Sequence, residues 1–155
     1  MEDRDSDIRR RLDPSVRRRL VGASPATRLQ TLRAGFNRSW HDTRPEPPKR
    51  RRQVRYVAYA LTANPTDDLD RVRRHVSEAG ATVKYELTDV DPHNTPQDRP
   101  GWAKACRLVA SGRADGIAVA NRTAISEDDD AYRAVVTWLG TRPALLLVVT
   151  PEGIA

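Results

Sequence analysis

Cys106 is the only cysteine in the 155 residues, which excludes an intramolecular disulfide and any metal site built on paired thiols. An intracellular chain is the expectation. Long apolar runs are missing as well: the longest, residues 144–149, falls far short of the roughly 20 residues that cross a bilayer. The N-terminus lacks the apolar core of a signal peptide, so the reading is a soluble, cytoplasmic protein. No Gly-x-x-x-x-Gly-Lys or Gly-x-Gly-x-x-Gly spacing occurs, which leaves nucleotide binding without a motif. His41, His75 and His93 have no partner at metal-ligand spacing, and no cofactor is expected.

What is present divides in two. Residues 1–53 hold 15 Arg and Lys against 7 Asp and Glu, a net charge of +8, whereas residues 54–155 hold 12 against 14, a net of −2. The basicity therefore belongs to the first third, and an expectation of phosphate binding must start there. Its cations cluster as Arg9, Arg10 and Arg11, then Arg17, Arg18 and Arg19, and finally Lys49, Arg50, Arg51 and Arg52. These ten are the candidate nucleic-acid contacts.

Asp13-Pro14 suits the start of a short helix over residues 14–21, and Ser24-Pro25 the start of another over residues 26–36, ending near Gly35. With Leu12, Val16, Leu20, Leu29, Leu32, Phe36 and Trp40 as their only sizeable apolar residues, such helices cannot build a core alone. A largely disordered basic arm is expected, with transient helicity and with Trp40 as an anchor for a partner. Three prolines between Arg44 and Pro48 read as an extended spacer and the boundary of the folded part.

From residue 54 onward, strand and helix patterns alternate. Residues 54–61, 82–87, 116–120 and 144–149 read as strands. Residues 67–79, 100–111 and 128–139 read as helices, stopped by Gly80, Gly112 and Gly140. The third strand lacks alternation, as a parallel strand covered on both faces would, and the fourth reads as central or fully covered. Four strands interleaved with three helices imply right-handed crossovers and a three-layer α/β/α sandwich with a mainly parallel sheet, over residues 54–155.

Several short strings fall in this order. Val57-Ala58-Tyr59-Ala60 lies in the first strand, and Arg99-Pro100-Gly101 opens the second helix. Asp115-Gly116-Ile117-Ala118-Val119 forms the third strand, Ile125-Ser126 follows it, and Thr150-Pro151-Glu152-Gly153-Ile154 comes after the fourth. Together they resemble the N-terminal catalytic domain of the serine recombinases, the resolvase/invertase family. The likeness spans residues 55–154.

The resemblance implies phosphoryl transfer from DNA to a serine hydroxyl, with arginines holding the phosphate. Counted without a gap, the family's first arginine falls on Leu61 and its nucleophile on Ala63, while its Asp-Arg-Leu-Ser-Arg string falls on Thr123-Ala124-Ile125-Ser126-Glu127. Only Arg99 keeps its place. A one-residue slip offers Thr62 as a substitute hydroxyl, so Thr62 with Arg99 is the catalytic candidate pair. The family's long dimerising helix and helix-turn-helix module lie beyond the fourth strand, where this sequence stops, so a degenerate and truncated relative is expected.

Two other groups carry open alternatives. Asp89, Asp91, His93 and Asp98 with Arg99 form a polar loop at the carboxyl end of the second strand, either a ligand site or a solvated loop. Asp128-Asp129-Asp130 is either a helix cap or a magnesium site. Cys106, Trp102 and Trp138 read as packing residues. The expected function is a catalytically inactive resolvase-fold module, associated with DNA or with protein, whose arm contacts nucleic acid non-specifically. A divergent strand-transfer enzyme or nuclease is one alternative. The other is a protein-binding regulator of an active recombinase, pairing with a recombinase-fold protein or with a second copy of itself.

Overall fold

The computed structural model describes residues 24–43 and 53–152. Its element order is α1 (Pro25–Asp42), β1 (Arg55–Leu61), α2 (Thr66–Glu78), β2 (Thr82–Asp89), α3 (Pro100–Ala110), β3 (Gly116–Val119), α4 (Asp129–Thr141) and β4 (Leu145–Val148). Single 3-10 turns at Pro96–Asp98 and Arg122–Ala124 lie in the loops after β2 and β3. The four strands form one sheet in the order β2-β1-β3-β4, with every pairing parallel.

Two apolar layers explain why the sheet closes. Val57, Tyr59, Ile117, Val119, Leu146 and Val148 face α3 and α4, whose Trp102, Ala105, Leu108, Tyr132, Val136 and Leu139 complete the larger cluster. Tyr56, Ala58, Ala60, Ala118 and Leu145 face Leu69, Val72 and Val76 of α2. β1 is thus buried on both faces, which accounts for its unbroken apolar run.

α1 departs from expectation. Ser24 caps it by accepting the Thr27 N–H at 3.2 Å, as its Ser-Pro start suggests, yet the helix passes through Gly35 and continues to Asp42. Tertiary packing explains the difference. Leu29 is 1% exposed in the larger core cluster, Leu32 and Phe36 pack against it, and Trp40 packs against the cluster on the other face of the sheet. This burial offsets the roughly 1 kcal/mol that a mid-helix glycine costs. Residues 25–42 are therefore a docked element of the fold, and Trp40 is a packing residue. The candidate helix over residues 14–21, the proline-rich spacer and all ten candidate arm cations lie outside the described residues.

β4 is covered on both faces, one of the two expectations for it, but it forms a border of the sheet rather than lying centrally. It is covered at its border by α1: the Asn37 side-chain amide donates from Nδ2 to the Leu146 carbonyl at 2.8 Å and accepts the Leu146 N–H on Oδ1 at 3.1 Å. One asparagine thus stands where a neighbouring strand would pair. Apolar patterning cannot distinguish such a strand from a central one.

Gly140 lies inside α4 instead of ending it. A Cβ there would sit 2.2 Å from Phe36 Cγ, so the glycine lets α1 approach α4. Gly140→Ala is expected to lower stability by about 1–3 kcal/mol through this clash, exceeding the helix propensity it gains. A urea titration followed by tryptophan fluorescence reads the change, and adding Phe36→Ala should make the combined loss less than additive.

Candidate functional site at the carboxyl end of the sheet

β1 connects through α2 to β2 on one side, whereas β3 lies on the other, so strand order reverses between β1 and β3. Open α/β sheets bind ligands outside the carboxyl ends of strands at such a point. Here those ends supply residues 62–64 after β1, 121–123 after β3, and the loop after β2.

Thr62 is half-buried. Its N–H donates to the Asp89 carbonyl at 2.9 Å, and its hydroxyl oxygen accepts the Asn64 N–H at 3.2 Å, closing the turn that leads into α2. Leu61 packs against the larger core cluster, and Ala63 is exposed. At the position where the resemblance puts a phosphate-holding arginine, an apolar side chain is tucked into the protein.

Arg99 is 3% exposed. Nε donates to the Asn94 carbonyl at 3.0 Å, and Nη1 donates to the carbonyls of Ala124 at 3.1 Å and Ile125 at 2.8 Å. Its guanidinium therefore ties the loop after β2 to the loop after β3. Thr62 and Arg99 lie at the same end of the sheet, each held by different partners.

The carboxylates of the polar loop find donors within the protein. Asp89 accepts the Tyr59 hydroxyl at 2.9 Å and the backbone N–H groups of Gly101 at 2.9 Å and Trp102 at 2.8 Å. It serves as a cap for α3 supplied by a neighbouring strand, satisfying orphan donors of the first helical turn. Burial, then donation to Asp89, holds the Tyr59 phenol far above the usual tyrosine range. Gly101 permits the close approach, since a Cβ there would lie 2.8 Å from Asp89 Oδ2. Asp91 accepts the His93 N–H at 2.9 Å, and Asp98 accepts the Thr95 hydroxyl at 2.7 Å.

The aspartate triplet resolves similarly. Asp128 caps α4 by accepting the Ala131 N–H at 2.8 Å, Asp129 pairs with Arg122, and Asp130 pairs with Arg133. Among the described residues, no three His, Cys, Asp or Glu side chains form a group suited to a metal ion. His41 lies on α1, His75 on α2 and His93 in the loop. Burial pushes the Cys106 thiol up to about 11, as suits an unreactive packing cysteine.

Three residues were not singled out by sequence reasoning. Arg122, two positions before the aligned Ala124, donates to Asp129 Oδ1 at 2.7 Å and to the Glu127 carbonyl at 3.2 Å, with its guanidinium 4.7 Å from the Tyr132 ring centroid. Ungapped counting passed over it. Arg71, exposed on α2, donates to the Thr150 hydroxyl at 2.6 Å. Arg33 of α1 bonds both oxygens of Glu152, at 2.9 and 3.1 Å, and Glu152 is itself 3% exposed. Glu152 belongs to the Thr-Pro-Glu-Gly-Ile string, whose last two residues lie outside the described region.

Among the described residues no helix is long and apolar enough to cross a membrane. No family model matches the chain. No curated protein matches it either. Among solved structures, the fold is similar to the C-terminal catalytic domain of ISC1926 TnpA, an IS607-like serine recombinase, with a TM-score of 0.55 and 18% identity over 62% of this chain and 70% of that one. An all-parallel sheet in the order β2-β1-β3-β4, flanked by helices and similar in fold to that domain, gives this chain the fold of a serine recombinase catalytic domain.

Proposed function

We propose that the chain is a resolvase-fold module without strand-transfer activity, which associates with DNA through its basic arm and offers its folded part as a protein-interaction scaffold. The observation that carries this reading is the state of two of the four guanidinium positions that the resemblance assigns to phosphate. One is Leu61, partly buried against the core, and the other is Arg99, buried on three backbone carbonyls. A pentacoordinate phosphate needs preorganised positive charge, and a buried guanidinium already bonded to protein supplies little of it.

The test is covalent capture. Incubation with supercoiled and nicked duplex DNA, followed by denaturing electrophoresis, should give no protein–DNA adduct and no cleavage. Thr62→Ala should then behave as the parent chain does. An adduct formed by the parent and lost in Thr62→Ala would replace this reading with a divergent strand-transfer enzyme using Thr62.

DNA association draws support from charge placement. The folded part is mildly acidic, while ten cations stand in three short runs outside it. Such an arm gives sequence-independent, salt-sensitive affinity. A recombinase-fold protein or a second copy of this chain fits the scaffold role.

A further inference from the structure

Arg33, Arg55, Arg73, Arg122 and Arg133 are each neutralised by a carboxylate. Arg107, Arg113 and Arg142 are not: all three are exposed, and among the described residues their side chains make no ion pair and no hydrogen bond. The topology gathers them. Arg107 lies in the last turn of α3, and Arg142 caps the end of α4. Arg113 and Arg142 each come just before a strand, and those strands, β3 and β4, are neighbours whose first residues pair, Gly116 with Leu145. All three cations therefore stand at the amino end of the sheet, away from the loops that follow the strands.

Cations suit the carboxyl ends of helices, and that alone asks for no partner. The second observation is an aromatic ring among them. The Arg142 guanidinium stacks on Trp138, with Cζ 3.9 Å from the ring centroid. The indole is half-buried, packed on its inner side against the larger core cluster, and Cys106 of α3 packs against the same cluster. Burial is the main influence on the Cys106 thiol, and the charges of Arg142 and then Arg107 oppose it, which puts both guanidinium groups near that sulfur. Stacking uses the face of a guanidinium and leaves its in-plane N–H donors, the fork that takes a carboxylate through two parallel bonds.

We infer that Trp138, Arg142, Arg107 and Arg113 form a docking site for an acidic segment of a partner protein, with one carboxylate seated on Arg142 and an adjoining apolar side chain against the indole. Tryptophan and arginine are the residues that most often carry the energy of a protein interface, and here the stacked pair is already ordered before a partner arrives. Charge favours a peptide over nucleic acid. Three cations around one indole match a short run of carboxylates, whereas residues 54–155 carry a net charge of −2 and repel a polyphosphate that extends beyond the patch. The site names the partner of the scaffold reading above and rests on that reading.

Fluorescence anisotropy with a labelled peptide of Asp and Glu carrying one Leu tests it, using the full chain with the ten arm cations replaced by Gln so that the arm does not capture the probe. The peptide should bind saturably, with a Kd of about 10–100 μM. Arg142→Ala and Arg142→Lys should each weaken binding about tenfold, the second because an ammonium offers no fork. Arg107→Gln combined with Arg113→Gln should weaken it about fivefold. Arg74→Gln, at an exposed cation of α2, should change it less than about twofold. Binding that does not saturate overturns the proposal. So does an equal loss in Arg74→Gln and Arg142→Ala, or tighter binding of a labelled single-stranded oligonucleotide of the same length. Covalent capture on DNA decides the wider reading and peptide binding decides this site, so the failure of one is told apart from the failure of the other.

Discussion

Replacing Arg9, Arg10, Arg11, Arg17, Arg18, Arg19, Lys49, Arg50, Arg51 and Arg52 with Gln in the full chain is expected to abolish most duplex binding and nearly all of its salt dependence. The substitutions take the net charge from +6 to −4. If about six of the ten cations neutralise phosphates, log affinity should fall with log salt at a slope near −5, a loss of about 10³-fold between 50 and 200 mM. The substituted chain should show a nearly flat dependence, because the folded part offers no compensating positive balance. Fluorescence anisotropy with a labelled duplex at several salt concentrations measures both quantities. Equal slopes for the two proteins would remove the arm from the account, and strong sequence preference in the parent would point to base contacts that a run of arginines does not explain.

Asp89→Ala is expected to cost about 3–5 kcal/mol of folding stability, a large fraction of what a domain of this size has. The substitution strands three donors, the Tyr59 hydroxyl and the N–H groups of Gly101 and Trp102, and Trp102 is buried where water does not readily replace the lost acceptor. Tyr59→Phe removes one donor together with its bond and should cost about 1 kcal/mol. Urea unfolding monitored by tryptophan fluorescence compares them. The contrast separates two readings of the polar loop: a residue there for a ligand can be replaced with little loss of stability, whereas one that caps α3 cannot.

The alternation of strand and helix after residue 54 was legible because period and punctuation agree there. β1, α2 and α3 lie within two residues of their expected limits. What escaped was decided by contacts between distant segments. Gly35 and Gly140 read as helix stops, yet both lie inside helices, and Gly140 is there because Phe36, more than a hundred positions away, needs the space. The outer border of β4 is met by Asn37, a contact that no local pattern announces.

The site was legible in a different way. Counting along the chain placed Leu61 and Ala63 where a family enzyme needs charge and a hydroxyl. The arginine that matches was expected to face a phosphate, and its burial on the carbonyls of Ala124 and Ile125 emerged only when two loops about 25 residues apart came together. Arg122 was hidden by ungapped alignment, since its partners Asp129 and Tyr132 follow it in a helix read on its own.

The docking of α1 changes the geometry of the proposed DNA contact. Its 18 residues make a rod about 27 Å long, the span of roughly eight base pairs, fixed to the body of the protein. Two of the basic runs precede this rod in the chain, and the third lies within residues 44–52, a nine-residue connection held at one end by α1 and at the other by β1. Under the proposed DNA contact, the arm would act as a two-handed grip. With one hand on the duplex, the other would search a volume set by a short tether, giving a local concentration in the millimolar range and tighter binding for the pair than for either run alone. Lengthening the 44–52 connection should loosen the grip without changing a single charge.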